Sequence, residues 1–278
     1  MAATLITVAP TGAELSKADV PQLPTTLEEL VETAIRCEQA GAAMIHLHIR
    51  GADHAPTLDG GLLRESVDAI RAETDLIVQL STGGSVHDPL EQRLTVLDAE
   101  PDSCSLTCGT TNFGDDVFLN PHGFMSDLYV QAQEREVVPE FELFELGHVA
   151  ALSRLIDAHG LPFGGKVHVD FVTGVPGAMP GTTAALMAGV AMLPQEVTSW
   201  AATGIGRSHL PIMAAALSAG GHVRVGMEDN IMYARGRQVQ HNDELVSRAA
   251  ELATLMQRPP MSTADARELL GVKDRRVR

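Results

Sequence analysis

Two histidines, His46 and His48, stand two residues apart in the run AAMIHLHI. On a β-strand that spacing sends both imidazoles to one face, close enough to share a metal ion. Two core histidines hydrogen-bonded to their neighbours is the other reading of the pair. Far along the chain, HVRVGMEDN carries Arg224, Glu228 and Asp229. Glu228 would complete a His-His-carboxylate set with open positions, a ligand chemistry that suits a catalytic zinc. Asp229 beside it is a candidate general base, which Arg224 would orient while lowering its pKa. A plain structural ion pair is the alternative there.

Further candidates stand around this set. Ser81-Thr82-Gly83-Gly84 would offer hydroxyls and free amides to an anion, and Gly204-Ile205-Gly206-Arg207 resembles the phosphate turn that many barrels carry late in the chain. Glu14, in APTGAE, suits a cationic group such as an amine. Cys37, Cys104 and Cys108 are an odd set with no Cys-x-x-Cys pair, and are read as free thiols.

The elements that must position these residues alternate in type. Apolar strand-like runs occupy 4–10, 42–49, 75–81, 102–107, 138–145, 166–172, 198–203 and 222–228. Helix-like stretches fall between and after them at 26–40, with the start signal Thr26-x-x-Glu29, then about 60–73, 88–99, 122–135, 146–159, 182–193, 208–219 and 242–257. Eight strands each followed by a helix predict an α/β fold of the (β/α)8 TIM-barrel type. A doubly wound open sheet is the alternative, but no G-x-G-x-x-G follows the first strand. One catalytic domain over 1–278 is expected, with 273–278 a disordered tail.

Strand parity carries the functional inference. Val223, Val225 and Met227 alternate with His222, Arg224, Gly226 and Glu228; Ile45, Leu47 and Ile49 alternate with His46 and His48. Val167, Val169 and Phe171 alternate with Lys166, His168 and Asp170, Phe141 and Leu143 with Glu140 and Glu142, while Ser103, Ser105 and Thr107 share one face. One parity should pack on the helices and the other fill the lumen. Ionisable groups there cost several kcal/mol each unless paired or metal-bound, so this lumen is expected to be an active site.

Composition sets the outer limits. The 278 residues are 45% hydrophobic and carry 20 Lys+Arg against 36 Asp+Glu, a net charge of −16. Such a chain is a poor partner for nucleic acid or an anionic membrane surface. No apolar run approaches the roughly 20 residues of a membrane span, and the start lacks a basic signal-peptide region, so a cytoplasmic location is expected.

The blocks TVAPTGAE, IHLHIR, LSTGG, CGTTNFGDD, FELFELGH, VTGVPGAMPG, GIGRSHLP and AGGHVRVGMEDN, in order, resemble the β-keto acid cleavage enzymes, and the resemblance runs from residue 4 to about residue 235. The resemblance implies a zinc-dependent acyltransferase that condenses a β-keto acid with acetyl-CoA and releases acetoacetate and a new acyl-CoA by retro-Claisen cleavage. It implies His46, His48 and Glu228 as ligands of one zinc, and Asp229, assisted by Arg224, as the base. Ser81, Gly84 and Ser105 would bind substrate, Ser105 standing where threonine is more usual, with Thr107 as its alternative. Glu14 would bind a substrate amine, which implies 3-keto-5-aminohexanoate of lysine degradation, with 3-aminobutyryl-CoA as product, or another keto acid such as dehydrocarnitine. CoA would meet Arg50, Arg207 and Arg235, and a homotetramer is implied. A metal-dependent hydrolase or aldolase barrel and a non-enzymatic binding protein are the competing readings.

Overall fold

Eight short parallel strands close on themselves in the computed structural model, which describes residues 3–275. They are β1 (Ile6–Val8), β2 (Met44–Leu47), β3 (Ile77–Leu80), β4 (Ser103–Thr107), β5 (Val138–Leu143), β6 (Val167–Thr173), β7 (Val197–Gly204) and β8 (His222–Val225). Each neighbours the next in sequence, and β8 pairs with β1 to seal the ring. The helices are α1 (Leu27–Ala40), α2 (Gly60–Glu73), α3 (Leu90–Thr95), α4 (His122–Glu134), α5 (Gly147–His159), α6 (Thr183–Ala191), α7 (His209–Ser218), α8 (Asn242–Leu255) and α9 (Thr263–Leu270). Because each strand from β1 to β8 is followed by one of α1 to α8, this is the expected (β/α)8 barrel.

Local chemistry explains the boundaries. At α1, Thr26 Oγ1 accepts the Glu29 amide at 3.2 Å while the Glu29 carboxylate accepts the Thr26 amide at 3.1 Å. This capping box satisfies orphan amides, and Gly41, at φ 111°, closes the helix. The stretch expected to be helical over 88–99 is shorter: α3 gives way to a 3-10 turn at Val96–Ala99, whose tighter winding buries Val96 and Leu97.

The register sorts the strands by parity. Thr7 pairs with Arg224, His46 with Gln79, Thr107 with Glu142, Glu140 with His168 and Glu142 with Asp170. Paired residues share a face, so polar positions meet in the lumen. Ile45, Leu47, Phe141, Val169 and Val223 turn outward into a core completed by Leu30, Leu128, Leu152 and Ala249. Lys166 departs from the expected parity: it precedes β6 and is exposed.

One helix lies outside the strand–helix alternation and was not anticipated. Helix α9 has ordinary signals, a Ser262 cap and a left-handed Gly271, but it follows α8 and no strand. Its Ala266 and Leu270, with Val272, pack on Leu5, Ala43, Met44, Ile77 and Val138 at the N-terminal ends of the strands. Beside them the buried Arg267 donates to Leu76 O at 3.3 Å and lies 3.4 Å from Asp102. This end of the barrel is sealed for stability, which leaves the opposite end for chemistry. Leu270→Ala is expected to cost about 2–5 kcal/mol in denaturant unfolding without moving the kinetic constants.

The stretch 273–278, expected to be a disordered tail, is described as far as residue 275. Lys273 pairs with Glu136, and Arg275 donates to the carbonyls of Arg135 and Glu136 at 2.7 Å, because α9 brings these residues against the end of α4. Residues 276–278 lie outside the described residues. Among the described residues, no helix is long and apolar enough to cross a membrane.

Candidate active site

The C-terminal ends of the strands open into a cavity of about 950 Å³. His46 lies on β2 and His48 just beyond it, with ring centres 5.3 Å apart. Glu228 reaches them through an unusual exit from β8. Gly226 has φ 154°, and a Cβ there would lie 1.9 Å from Ala9 O, so only glycine lets the chain pass this close to β1. The turn sends Met227 into the core and Glu228 into the lumen. Gly12 makes room for it, since a Cβ there would meet Glu228 Cγ at 2.6 Å.

Glu228 Oε1 lies 3.8 Å from His46 Nε2 and 3.6 Å from His48 Nε2. One ligand atom from each of the three residues falls within 4.8 Å of the others, which makes them the group among the described residues that could hold a metal. Two observations fit a cation. Glu228 Oε2 is buried without a hydrogen-bond partner. His46 Nδ1 contacts Gln79 Oε1 at 2.5 Å; an amide oxygen only accepts, so Nδ1 carries the proton and Nε2 presents its lone pair. Gln79 is fixed in turn by donating to Ser103 Oγ at 3.1 Å. Burial keeps His46 neutral, with its pKa lowered to about 4.

Arg224 organises the acids. Its Nε and Nη2 donate to Asp229 Oδ2 and Oδ1, both at 3.0 Å, a bidentate fork that fixes the carboxylate plane. The same guanidinium reaches Glu142 Oε1 at 3.3 Å and Glu228 Oε1 at 2.5 Å. Burial pushes Asp229 up to about 6 against the pull of Arg224. At Glu228 burial is outweighed by Arg224 and the two imidazoles, which hold it at about 2. One carboxylate is thereby a better base and its neighbour a better cation ligand. Asp229 O accepts the Gly206 amide at 2.8 Å, which anchors this turn to the loop after β7.

Glu142 is a lumen acid to which the sequence assigned no individual role. It lines the cavity, accepts from Thr107 Oγ1 at 2.7 Å, and is pushed up to about 7 by burial. Strand parity had placed Glu142 in the lumen, but only barrel closure brings β5 across to Arg224.

Ser81 and Gly84 line the cavity as expected. Ser81 Oγ accepts the Gly83 amide at 3.2 Å, which leaves its proton to donate to a ligand. At Gly84, φ is 59° and a Cβ would lie 2.3 Å from Asp88 Oδ2, so glycine is required. The expected nest of free amides is smaller than anticipated, because Ser81, Thr82 and Gly83 donate to Leu47 O, Ser105 Oγ and Ser81 Oγ.

Ser105 is buried, and its hydroxyl accepts the Thr82 amide at 3.2 Å. Thr107 donates its hydroxyl to Glu142 Oε2. The phosphate-turn reading also changes, since the amides of Ile205, Gly206 and Ser208 are committed to Thr173 O, Asp229 O and Ile205 O. Arg50 does not face the cavity; it donates to Gly12 O at 2.6 Å and Leu15 O at 2.8 Å, bracing the loop that carries Glu14. Glu14 itself is exposed at the cavity wall. Cys37, Cys104 and Cys108 are buried free thiols.

The antiparallel hairpin Thr111–Phe113 with Asp116–Phe118 completes one wall. Its Phe113 and Phe118 pack with each other and with Phe144 at centroid separations of 6.1, 6.2 and 6.5 Å, an apolar part of the cavity wall.

A (β/α)8 barrel whose mouth holds a potential metal-ligand trio and an arginine-clamped carboxylate defines a barrel enzyme of the acid–base class. The family model of the beta-keto acid cleavage enzymes matches residues 3–272, and the chain belongs to that family. It is 37% identical to the 3-keto-5-aminohexanoate cleavage enzyme of Acetoanaerobium sticklandii, over 96% of this chain and 98% of that protein. It is 33% identical to the 3-oxoadipate:acetyl-CoA acetyltransferase of Cupriavidus necator, over 96% of this chain and 94% of that one. Among solved structures, apo ObcA shares the fold with a TM-score of 0.78 at 20% identity, covering 92% of this chain and 66% of that chain.

Proposed function

We propose that this enzyme is a zinc-dependent acyltransferase that takes an amino-bearing β-keto acid, 3-keto-5-aminohexanoate, and acetyl-CoA to acetoacetate and 3-aminobutyryl-CoA. The observation that carries the reading is the Arg224–Asp229 fork set directly beside the His46, His48 and Glu228 trio. Family membership supports this over a hydrolase, an aldolase or a non-enzymatic binding protein.

The residues divide the work. Ser81 Oγ–H and the Gly84 backbone receive the keto acid carboxylate. Asp229 removes a proton from C2, between the carboxylate and the 3-keto group. Raised to about 6, it is ionised at neutral pH yet more basic than an ordinary aspartate, and Arg224 keeps it aimed. A divalent ion held by His46, His48 and Glu228 would supply Lewis-acid polarisation of the 3-keto oxygen.

The electron pair at C2 forms a bond to the thioester carbonyl carbon, and the CoA thiolate leaves. The thiolate then adds to C3. Breaking the C2–C3 bond returns the pair to C2, which recovers its proton from Asp229. Acetoacetate and the new thioester are the products, with no change in redox state. The Phe113, Phe118 and Phe144 wall limits water that would hydrolyse the thioester.

Glu14 supports the choice of an amine. Relatives named for 3-keto-5-aminohexanoate and for 3-oxoadipate differ in the charge at the far end of the substrate. An exposed glutamate on the wall favours the cation. The Glu14→Gln enzyme is expected to show roughly a tenfold higher KM for 3-keto-5-aminohexanoate, with kcat/KM for 3-oxohexanoate, which lacks the amine, nearly unchanged.

An assay of zinc-loaded protein with acetyl-CoA and 3-keto-5-aminohexanoate, dehydrocarnitine and 3-oxoadipate tests the whole reading. Acetoacetate should form fastest from the first; release from none of them overturns the proposal. The same reading takes the protein as a cytoplasmic homotetramer, to be checked by light scattering and by fractionation of its native host.

A further inference from the structure

With a net charge of −16 the chain has few cations to spare, and most are engaged. Arg50 and Arg93 hold loop carbonyls, and Arg224 holds three carboxylates. Arg154, Arg207 and Arg235 are the arginines among the described residues with neither an acidic nor a hydrogen-bonding partner. Arg207 and Arg235 line the same cavity.

The fold holds these two out deliberately. Met232–Ala234 pairs with Arg237–Gln238, and Gly236, at φ 78°, closes the turn, so Arg235 stands at the hairpin tip. The Arg237 and Arg248 guanidinia lie over the Tyr233 ring at 4.1 and 4.6 Å, and Arg237 also pairs with Glu244. This bracing leaves Arg235 as the unpartnered cation of a stiffened loop. Arg207 follows β7, the ring neighbour of β8, so both cations share one side of the mouth. Asp115 and Asp116 rise from the hairpin after β4, on the opposite side of the ring. Ile205, Leu210, Ile231 and Met232, close in sequence to these arginines, line the same cavity and offer it an apolar surface.

We propose that Arg207 and Arg235 form a phosphate subsite for the nucleotide end of the acyl-CoA thioester, whose uncharged pantetheine arm lies along this apolar surface. Two exposed, unpaired guanidinia on one lip match a polyanion, and the acidic lip opposite repels it. The inference rests on the acetyl-CoA reading above and adds where that co-substrate enters.

The test compares acetyl-CoA with acetyl-pantetheine, which lacks the nucleotide, in the wild type, the Arg207→Gln/Arg235→Gln double variant and an Arg154→Gln control. The ratio of kcat/KM for acetyl-CoA over acetyl-pantetheine should fall about tenfold in the double variant, and its dependence on salt should flatten. Inhibition by adenosine 3′,5′-bisphosphate should weaken by a similar factor. The control should match the wild type. A double variant that keeps the wild-type ratio overturns the subsite while the acetyl-CoA reading stands, as does an equal fall in the control. A wild-type enzyme that forms no acetoacetate from either thioester overturns the acetyl-CoA reading itself.

Discussion

Asp229→Asn should lower kcat by about 10²–10⁴, the usual worth of a positioned general base. Asparagine keeps the shape of the side chain and cannot accept the C2 proton. It also presents an NH2 toward Arg224, so one arm of the fork, each 3.0 Å long in the parent, becomes donor against donor. Arg224 keeps Glu142 and Glu228 as partners, so the variant should fold. Two readouts separate lost chemistry from lost structure. Enzyme-catalysed deuterium exchange at C2 of the keto acid, without acetyl-CoA, should drop to the spontaneous rate. The thermal melt should stay cooperative. Exchange at the wild-type rate in the variant would remove Asp229 from the role of base.

Stripping divalent metal should bring turnover to background, and adding zinc should restore it. The protein should stay folded when stripped, because Arg224 still compensates Glu228 and Gln79 still holds His46. At free zinc about 100 times Kd, the bound form should melt about 5–10 °C higher. His48→Ala should lose most of that increment together with activity. Gln79→Leu is subtler: it frees the His46 ring, and metal affinity should fall 10–100-fold as expected for a lost outer partner. Undiminished turnover by rigorously stripped enzyme would exclude a catalytic metal.

Glutamate 142 marks where sequence reasoning stopped. Its lumen position followed from alternation with Phe141 and Leu143, a period-two pattern visible in any strand. Its partner did not follow, because Arg224 stands 82 positions away and meets it only across the closed ring. Arg50 shows the same limit from the other direction. Its charge suggested an anionic ligand, but three backbone carbonyls take its donors. At Ser105 the sequence shows a lumen-facing hydroxyl, and only the fold shows that this hydroxyl accepts the Thr82 amide. Helix α9 had a readable cap and stop, yet lay outside the strand–helix rhythm.

Local order was therefore written in the chain itself: helix caps, strand parity, the shared face of His46 and His48, and the alternation that implies a barrel. These depend on neighbours within a few residues, where backbone geometry is periodic. The assignment of each loop amide, hydroxyl and guanidinium to a partner depended on ring closure. β8 must seal against β1 before Gly226 can cross Ala9, and that crossing is what delivers Glu228 to the histidines and Asp229 to Arg224. A hydrogen bond is decided within about 3 Å, and only the tertiary fold brings such distant positions that close.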